Sequence, residues 1–273
     1  MADEFYIGYE PEMPRGLALR IRLTAIAMLV VGAVVSGVLV IAQSRFANGT
    51  FEYDRVRMFE GRLIEYPYPA LLVSGAIAAP TTYWLVGLGK HGASEMAAGR
   101  DGRLVRISGS LIERDGDRMI EVRSIDVDSQ AARPLEPLRL LGTVSVSGEI
   151  VDGKCHLGVM KPGEGPTHRD CAVRCLIGRI TPMFAPRATE KAPGPGPEAW
   201  GLQDDTTAGR LALIDPAGRA LDASLDSSLV GRPVVIRGEL WSRGPLRFLA
   251  MTPSSIQIQE NGASFLNVAS THR

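Results

Sequence analysis

Cys155, Cys171 and Cys175 are the only cysteines in the chain, and two of its four histidines, His156 and His168, stand among them. Thiolate and imidazole are the side chains that bind zinc and iron, so this stretch is where the sequence points at specific chemistry. It runs from Lys154 to Met160, crosses a turn at Lys161-Pro162-Gly163-Glu164-Gly165-Pro166, and continues from Thr167 to Gly178. The last piece predicts a short helix. Thr167 with Asp170 makes an S/T-x-x-[DE] start, and Gly178 supplies a stop. His168, Cys171 and Cys175 then stand at i, i+3 and i+7 on one helix face, and Cys155 can close over them from a strand end. Such a set, Cys155, His168, Cys171 and Cys175 with His156 as the alternative ligand, would suit a four-coordinate Zn²⁺ or an iron site.

The spacing C-x12-H-x2-C-x3-C matches none of the usual zinc-finger or ribbon patterns. It is not the CxxCH of covalent haem c, and it lacks the paired boxes of a Rieske centre. Two other fates for the thiols stay open. In an oxidising compartment Cys155 would bridge to Cys171 or Cys175, leaving one thiol over, because the two helical cysteines pair poorly with each other. Alternatively Cys171, near a helix N-terminus with Arg169 and Arg174 beside it, would be a reactive thiolate.

Elsewhere the chemistry is sparse. Lys90-His91 follows a strand-like run, where a lone histidine is ordinarily just solvated, and Asn48-Gly49-Thr50 is a formal sequon close to an apolar segment. No Ser/His/Asp set or phosphate loop stands out, so no catalytic residue is assigned. With 30 basic and 30 acidic residues and 6% aromatics, the chain has neither the basic groove nor the stacking platform that nucleic acid needs.

The compartment follows from one segment. Leu23–Ala42 (LTAIAMLVVGAVVSGVLVIA) carries no charge, and as a helix it matches the roughly 30 Å apolar core of a bilayer. A secretory signal has a shorter apolar stretch, so cleavage at the small residues Ala47 and Gly49 is the lesser alternative to a retained single-pass span. Arg15, Arg20 and Arg22 precede it and only Arg45 follows closely. The positive-inside tendency then puts residues 1–22 in the cytoplasm and the bulk of the chain in the periplasm of a bacterial inner membrane. Gly32/Ser36 and Ala33/Gly37 are small-xxx-small pairs, either a face for another membrane helix or simply the common composition of spans. The acidic, aromatic tail (Asp3, Glu4, Phe5, Tyr6, Tyr9, Glu10, Glu12) reads as a docking peptide or an interfacial anchor.

Beyond the span, the chain repeats itself. Gly102–Arg114 (GRLVRISGSLIER) recurs 129 positions later as Gly231–Arg243 (GRPVVIRGELWSR), with seven of thirteen residues identical. Each copy runs into a further strand-like stretch, Met119–Val127 and Phe248–Ile258. Upstream, Met58–Glu65 matches Val144–Asp152 loosely, and Tyr83–Val86 matches Leu211–Ile214. Period-two alternation makes these strands, and Gly109 and Gly238 sit where a strand would bulge or bend. About five short, bent strands per unit fit a small Greek-key barrel of the OB type. The fold expected is mainly β: the N-terminal transmembrane helix, then tandem OB-like barrels over 52–128 and 142–260, the second carrying the Cys/His insertion. Ser129–Leu141 is the linker, Ala185–Glu198 an exposed Pro/Gly-rich loop, and 261–273 a C-terminal tail.

The run Gly148-Glu149-Ile150-Val151-Asp152, Lys154-Cys155, His168-Arg169, Cys171-Ala172 and Cys175 resembles a segment of uncharacterised bacterial exported or single-span proteins, some of them near respiratory or redox enzymes. The likeness covers residues 148–175 and implies no known activity. In architecture, one span followed by an OB barrel, the chain is also similar to the haem chaperone of cytochrome c maturation. That family holds haem through H-x-x-x-Y, and no histidine here has a tyrosine four residues on. These resemblances and the span together imply an accessory or structural subunit of a larger membrane complex, meeting membrane-protein partners through its helix and barrels. The alternative is a periplasmic metal- or haem-handling or redox protein using the Cys/His cluster.

Overall fold

The computed structural model describes residues 13–44, 49–74, 80–128, 134–186, 209–221 and 225–259. The acidic, aromatic tail, Arg45, most of the Pro/Gly-rich loop and the C-terminal tail lie outside them. Two compact units result, Met1–Ala47 and Asn48–Arg273. In the first, helix α1 (Arg15–Ser44) contains the whole uncharged run, and it is long and apolar enough to cross a membrane. Its 30 residues span about 45 Å at 1.5 Å per residue, and none of its most apolar stretch is buried.

The second unit is two closed barrels in tandem. The first comprises β2 (Arg57–Ile64), β3 (Ala70–Val73), β4 (Thr81–Val86), β5 (Leu104–Arg114) and β6 (Asp117–Val127), with the short β1 (Thr50–Phe51) added beside β5 and one helical turn, α2 (Ser94–Ala97), between β4 and β5. Its order is β5-β2-β3-β4-β6, closed by β5 pairing with β6. The second comprises β7 (Arg139–Asp152), β8 (Pro182–Pro186), β9 (Leu211–Ile214), β10 (Pro233–Arg243), β11 (Leu246–Ala250) and β12 (Ile256–Ile258), in the same cyclic order. In each barrel the third and fifth strands pair in parallel, β4 with β6 and β9 with β11, while the other strand pairs are antiparallel. That is the OB-type closure the repeat implies.

The repeat extends to the pairing. An added Cβ would stand 2.5 Å from the Glu121 carbonyl at Gly109 and 2.1 Å from the Ala250 carbonyl at Gly238. Upstream, Gly61 faces Val105 and Gly148 faces Val234, which are equivalent partners in the two copies. These glycines let a neighbouring backbone come in where the sheet coils sharply into a barrel. One expectation fails. Phe248–Ile258 is not a single strand like β6 but is divided into β11 and β12 by a 3₁₀ turn, Pro253–Ser255. Pro253 has no N–H to give to the ladder, so the strand breaks there.

Each barrel has its own apolar interior, around Leu63, Leu85 and Ile107 in the first and Ile150, Phe184 and Ile236 in the second. A further core joins them. Trp84, Val86 and Met119 point out of the first barrel and pack with Ala212, Ile214 and Phe248 from the second. Trp84 and Phe248 meet edge to face at 6.0 Å. Like faces of the two repeats therefore meet, because Trp84 and Ala212 are equivalent in the parallel pairing, as are Met119 and Phe248. Burial on both faces explains why Tyr83–Val86 and Leu211–Ile214 are nearly unbroken apolar runs and not alternating ones. Tyr68 adds a polar tie, its hydroxyl donating to the Leu213 carbonyl at 2.6 Å and accepting from the Leu221 N–H at 2.8 Å.

Gly109→Ala or Gly238→Ala is expected to destabilise the barrels by at least about 1–3 kcal/mol in urea unfolding, since the new methyl meets backbone and not a movable side-chain tip. Gly209→Ala, whose Cβ would meet the Asp117 carboxylate at ordinary contact distance, 3.5 Å from Oδ1 and 4.0 Å from Oδ2, should stay within about 0.5 kcal/mol of the parent.

Candidate functional site

The insertion of the second barrel lies between its first two strands. β7 ends at Asp152, and a π-helical turn, Cys155–Val159, begins almost at once. The Asp152 carboxylate drives that change of course. It is wholly buried, and its Oδ1 accepts the Cys155 N–H at 2.8 Å, supplying the partner a strand ladder would otherwise give. Helix α3 (Arg169–Ile177) follows, with Gly178 as its stop. The expected capping box does not form: the N-cap is His168, one residue later than Thr167, and its side chain makes no cap bond. The imidazole instead turns inward, Nε2 standing 2.9 Å from Asp152 Oδ2. A buried carboxylate outcompetes an exposed threonine for setting that end of the helix.

The structure brings the thiols together. Cys155 Sγ lies 4.0 Å from Cys171 Sγ and 3.9 Å from Cys175 Sγ. All three cysteines are free, and both separations are far from a disulfide's roughly 2 Å bond. Cys155 and Cys175 are buried and Cys171 is half-buried. Ligand atoms of Cys155, His168 and Cys171 lie within 4.8 Å of one another, as do those of Asp152, Cys155 and Cys175, so each of these two groups, which share Cys155, can hold a metal ion geometrically. Lys90, from the loop after β4 of the first barrel, donates to Cys171 Sγ at 2.9 Å and to Cys175 Sγ at 3.5 Å. Its neighbour His91 is exposed, as a solvated loop histidine should be.

Electrostatics divide the sulfurs. The hydrogen bond from Cys155 draws the Cys175 thiol down to about 7 despite its burial, and Lys90 adds to the effect. Cys155 moves the opposite way, pushed up by that same hydrogen bond, by burial and by the Asp152 charge. The sulfide partners in turn hold the Lys90 ammonium above its ordinary value, chiefly through the bond to Cys171.

His156 is turned to other partners. Its Nδ1 lies 3.2 Å from Arg114 Nη1, and its Nε2 accepts from Arg210 Nε at 3.2 Å. Burial, reinforced by these two guanidiniums, lowers its pKa to about 2, so it stays neutral. Both ring nitrogens are engaged by these guanidiniums, which sets the alternative ligand apart from the thiols. Arg210 completes the network through Asp115 and Asp117 of the first barrel at 2.7 and 3.1 Å.

Three residues named in the sequence without any role at the thiols contribute here: Asp152, Lys154 and Lys90. Lys154 is buried and donates to the carbonyls of Gly87 (2.9 Å) and Gly89 (2.6 Å) and to Glu121, all in the first barrel. Asp152 and Lys154 did leave a signal, two opposite charges two residues apart at the end of an apolar strand run. Charge in such a place demands partners. Lys90 left none, because its proximity to the thiols depends on the barrel junction. In comparisons with known proteins the chain matches no family model, no curated protein and no solved structure.

His156 makes stability sensitive to acid in a definite direction. Its folded pKa lies below the ordinary 6.5, so as pH falls below about 6.5 the unfolded chain takes up a proton that the folded one refuses. Its share of the loss approaches about 1.4 kcal/mol per pH unit. Urea midpoints taken between pH 7 and 4.5 should fall less steeply for His156→Gln than for the parent, and equal slopes would contradict the assignment.

Proposed function

We propose that the protein is a single-pass, membrane-anchored accessory subunit of a larger membrane assembly. Its short N-terminal tail lies in the cytoplasm, and its two barrels stand in the periplasm of a bacterial inner membrane. The observation that carries this is α1: a charge-free run long enough for a bilayer, with its apolar side chains exposed and Arg15, Arg20 and Arg22 at one end. The small-xxx-small pairs Gly32/Ser36 and Ala33/Gly37 support helix association, since small side chains let a second helix backbone approach closely. The barrels act as a rigid docking body, and no residue is assigned a catalytic role. The likeness of residues 148–175 to segments of exported proteins near respiratory or redox enzymes favours a partner complex of that kind.

A second reading, a periplasmic metal- or haem-handling or redox protein, is favoured by one specific observation: Cys155 Sγ stands within 4.0 Å of both other sulfurs, with the Lys90 ammonium beside them. Zinc and iron are the ions such ligands suit.

Purified in mild detergent, the full chain should bring down a membrane partner, and Gly32→Leu with Gly37→Leu should abolish that association while leaving the barrels folded by circular dichroism. Protease added to cells stripped of their outer membrane should digest the barrels. Protection of the barrels, or a partnerless monomer unaffected by the leucines, would sink the anchored-subunit reading.

A further inference from the structure

Resting on the metal reading of the thiol cluster, we infer that Cys155, Cys171, Cys175 and His168 hold a single structural zinc ion, and that this ion locks the two barrels together with Lys90 and Asp152 as its supports. The sulfur spacing carries the argument. At a Zn–S distance of about 2.3 Å, two thiolates on a tetrahedral ion stand about 3.8 Å apart. The two separations from Cys155 are 4.0 and 3.9 Å, so both pairs already have that spacing around a shared sulfur. A disulfide would use one pair and strand the third thiol, whereas one ion takes all three once Cys175, which lies within 4.8 Å of Cys155 and Asp152 in a group apart from Cys171 and His168, turns onto it.

The fourth ligand is His168. A ring nitrogen of this buried residue lies within 4.8 Å of the sulfurs of both Cys155 and Cys171. Its Nε2 is engaged by Asp152 Oδ2 at 2.9 Å, which leaves Nδ1 for the ion. Metal-bound histidines are commonly oriented by a carboxylate on their other nitrogen in this way. Asp152 approaches Cys155 and Cys175 too, but its oxygens already serve the Cys155 N–H and the His168 ring. It is therefore a positioning residue and not a ligand.

Charge closes the argument. Three thiolates, a neutral imidazole and Zn²⁺ sum to one negative charge, which in a buried setting needs a counter-charge. Lys90 supplies it, with hydrogen bonds at 2.9 and 3.5 Å to two of the sulfurs. Since Lys90 belongs to the first barrel and every ligand to the second, the ion stiffens the seat on which the two are joined. The Gly92 N–H, donating to the Gly178 carbonyl at 2.7 Å just past α3, marks how closely that seat fits. Four protein ligands, three of them buried, leave no open coordination position, as in structural and not catalytic zinc sites.

The test uses the full chain in detergent, carrying a purification tag without histidine. Metal analysis should give about one equivalent of zinc with three titratable thiols after denaturation, and Co²⁺ exchanged into the site should show the intense visible bands of a tetrahedral thiolate centre. His168→Ala should lose the ion. Lys90→Met and Asp152→Asn should keep the stoichiometry while weakening zinc affinity about tenfold or more. Chelation should release barrel–barrel protection in hydrogen exchange at the Gly92 amide. One equivalent of iron in place of zinc overturns the zinc lock and leaves the metal-handling reading standing. Absence of metal with one disulfide overturns both. Unchanged affinity in Lys90→Met removes the inter-barrel role. The wild-type metal, thiol and cobalt measurements decide the matter even where a variant fails to fold, and none of these outcomes bears on the membrane anchor.

Discussion

A single carboxylate holds the Cys/His insertion in place. Asp152 is completely buried at the end of β7, where a bare charge would cost several kcal/mol, and it is tolerated because both its oxygens are used. One oxygen turns the chain from strand into the π-helical turn that presents Cys155. The other draws in His168 and so sets where α3 begins. The thiols of Cys171 and Cys175 reach Cys155 because those two events share one anchor.

The same strand end also reaches across to the other barrel. Lys154, two residues on, satisfies its buried ammonium on carbonyls and a carboxylate of the first barrel. Those carbonyls, of Gly87 and Gly89, lie in the loop that carries Lys90 to the sulfurs. Opposite charges at 152 and 154 thus do different work, one organising the insertion within its own barrel and the other fastening it to its neighbour. The apolar junction around Trp84 and Phe248 supplies the contact area, and the ionic and hydrogen-bonded contacts fix its orientation.

Much of this was legible beforehand, and for identifiable reasons. The 129-residue offset predicted two copies of one barrel, and the glycines that admit a neighbouring carbonyl, Gly109 and Gly238, sit at matching points of both. Helical spacing placed Cys171 and Cys175 on one face. Local rules misjudged two details. Thr167 had the right pattern for a cap, but a buried acceptor from β7 won the contest for His168 and moved the helix start. Pro253 had the power to break a strand, and the resemblance to Met119–Val127 concealed it. His156, the alternative ligand by residue type, is engaged by Arg114 and Arg210, which arrive from distant parts of the chain.

Composition and spacing alone determined the apolar helix, the β class, the duplication and the stretch in which the soft ligands lie, because each follows from local periodicity or from residue type. Only the tertiary structure decided that the repeats pack like face to like face, that Asp152 joins strand to helix, and that a lysine from one barrel completes the thiol group of the other. Those contacts join residues far apart in the chain, Lys90 with Cys171 and Arg114 with His156 among them. No short-range pattern encodes such meetings; they exist only once two buried surfaces have closed on each other.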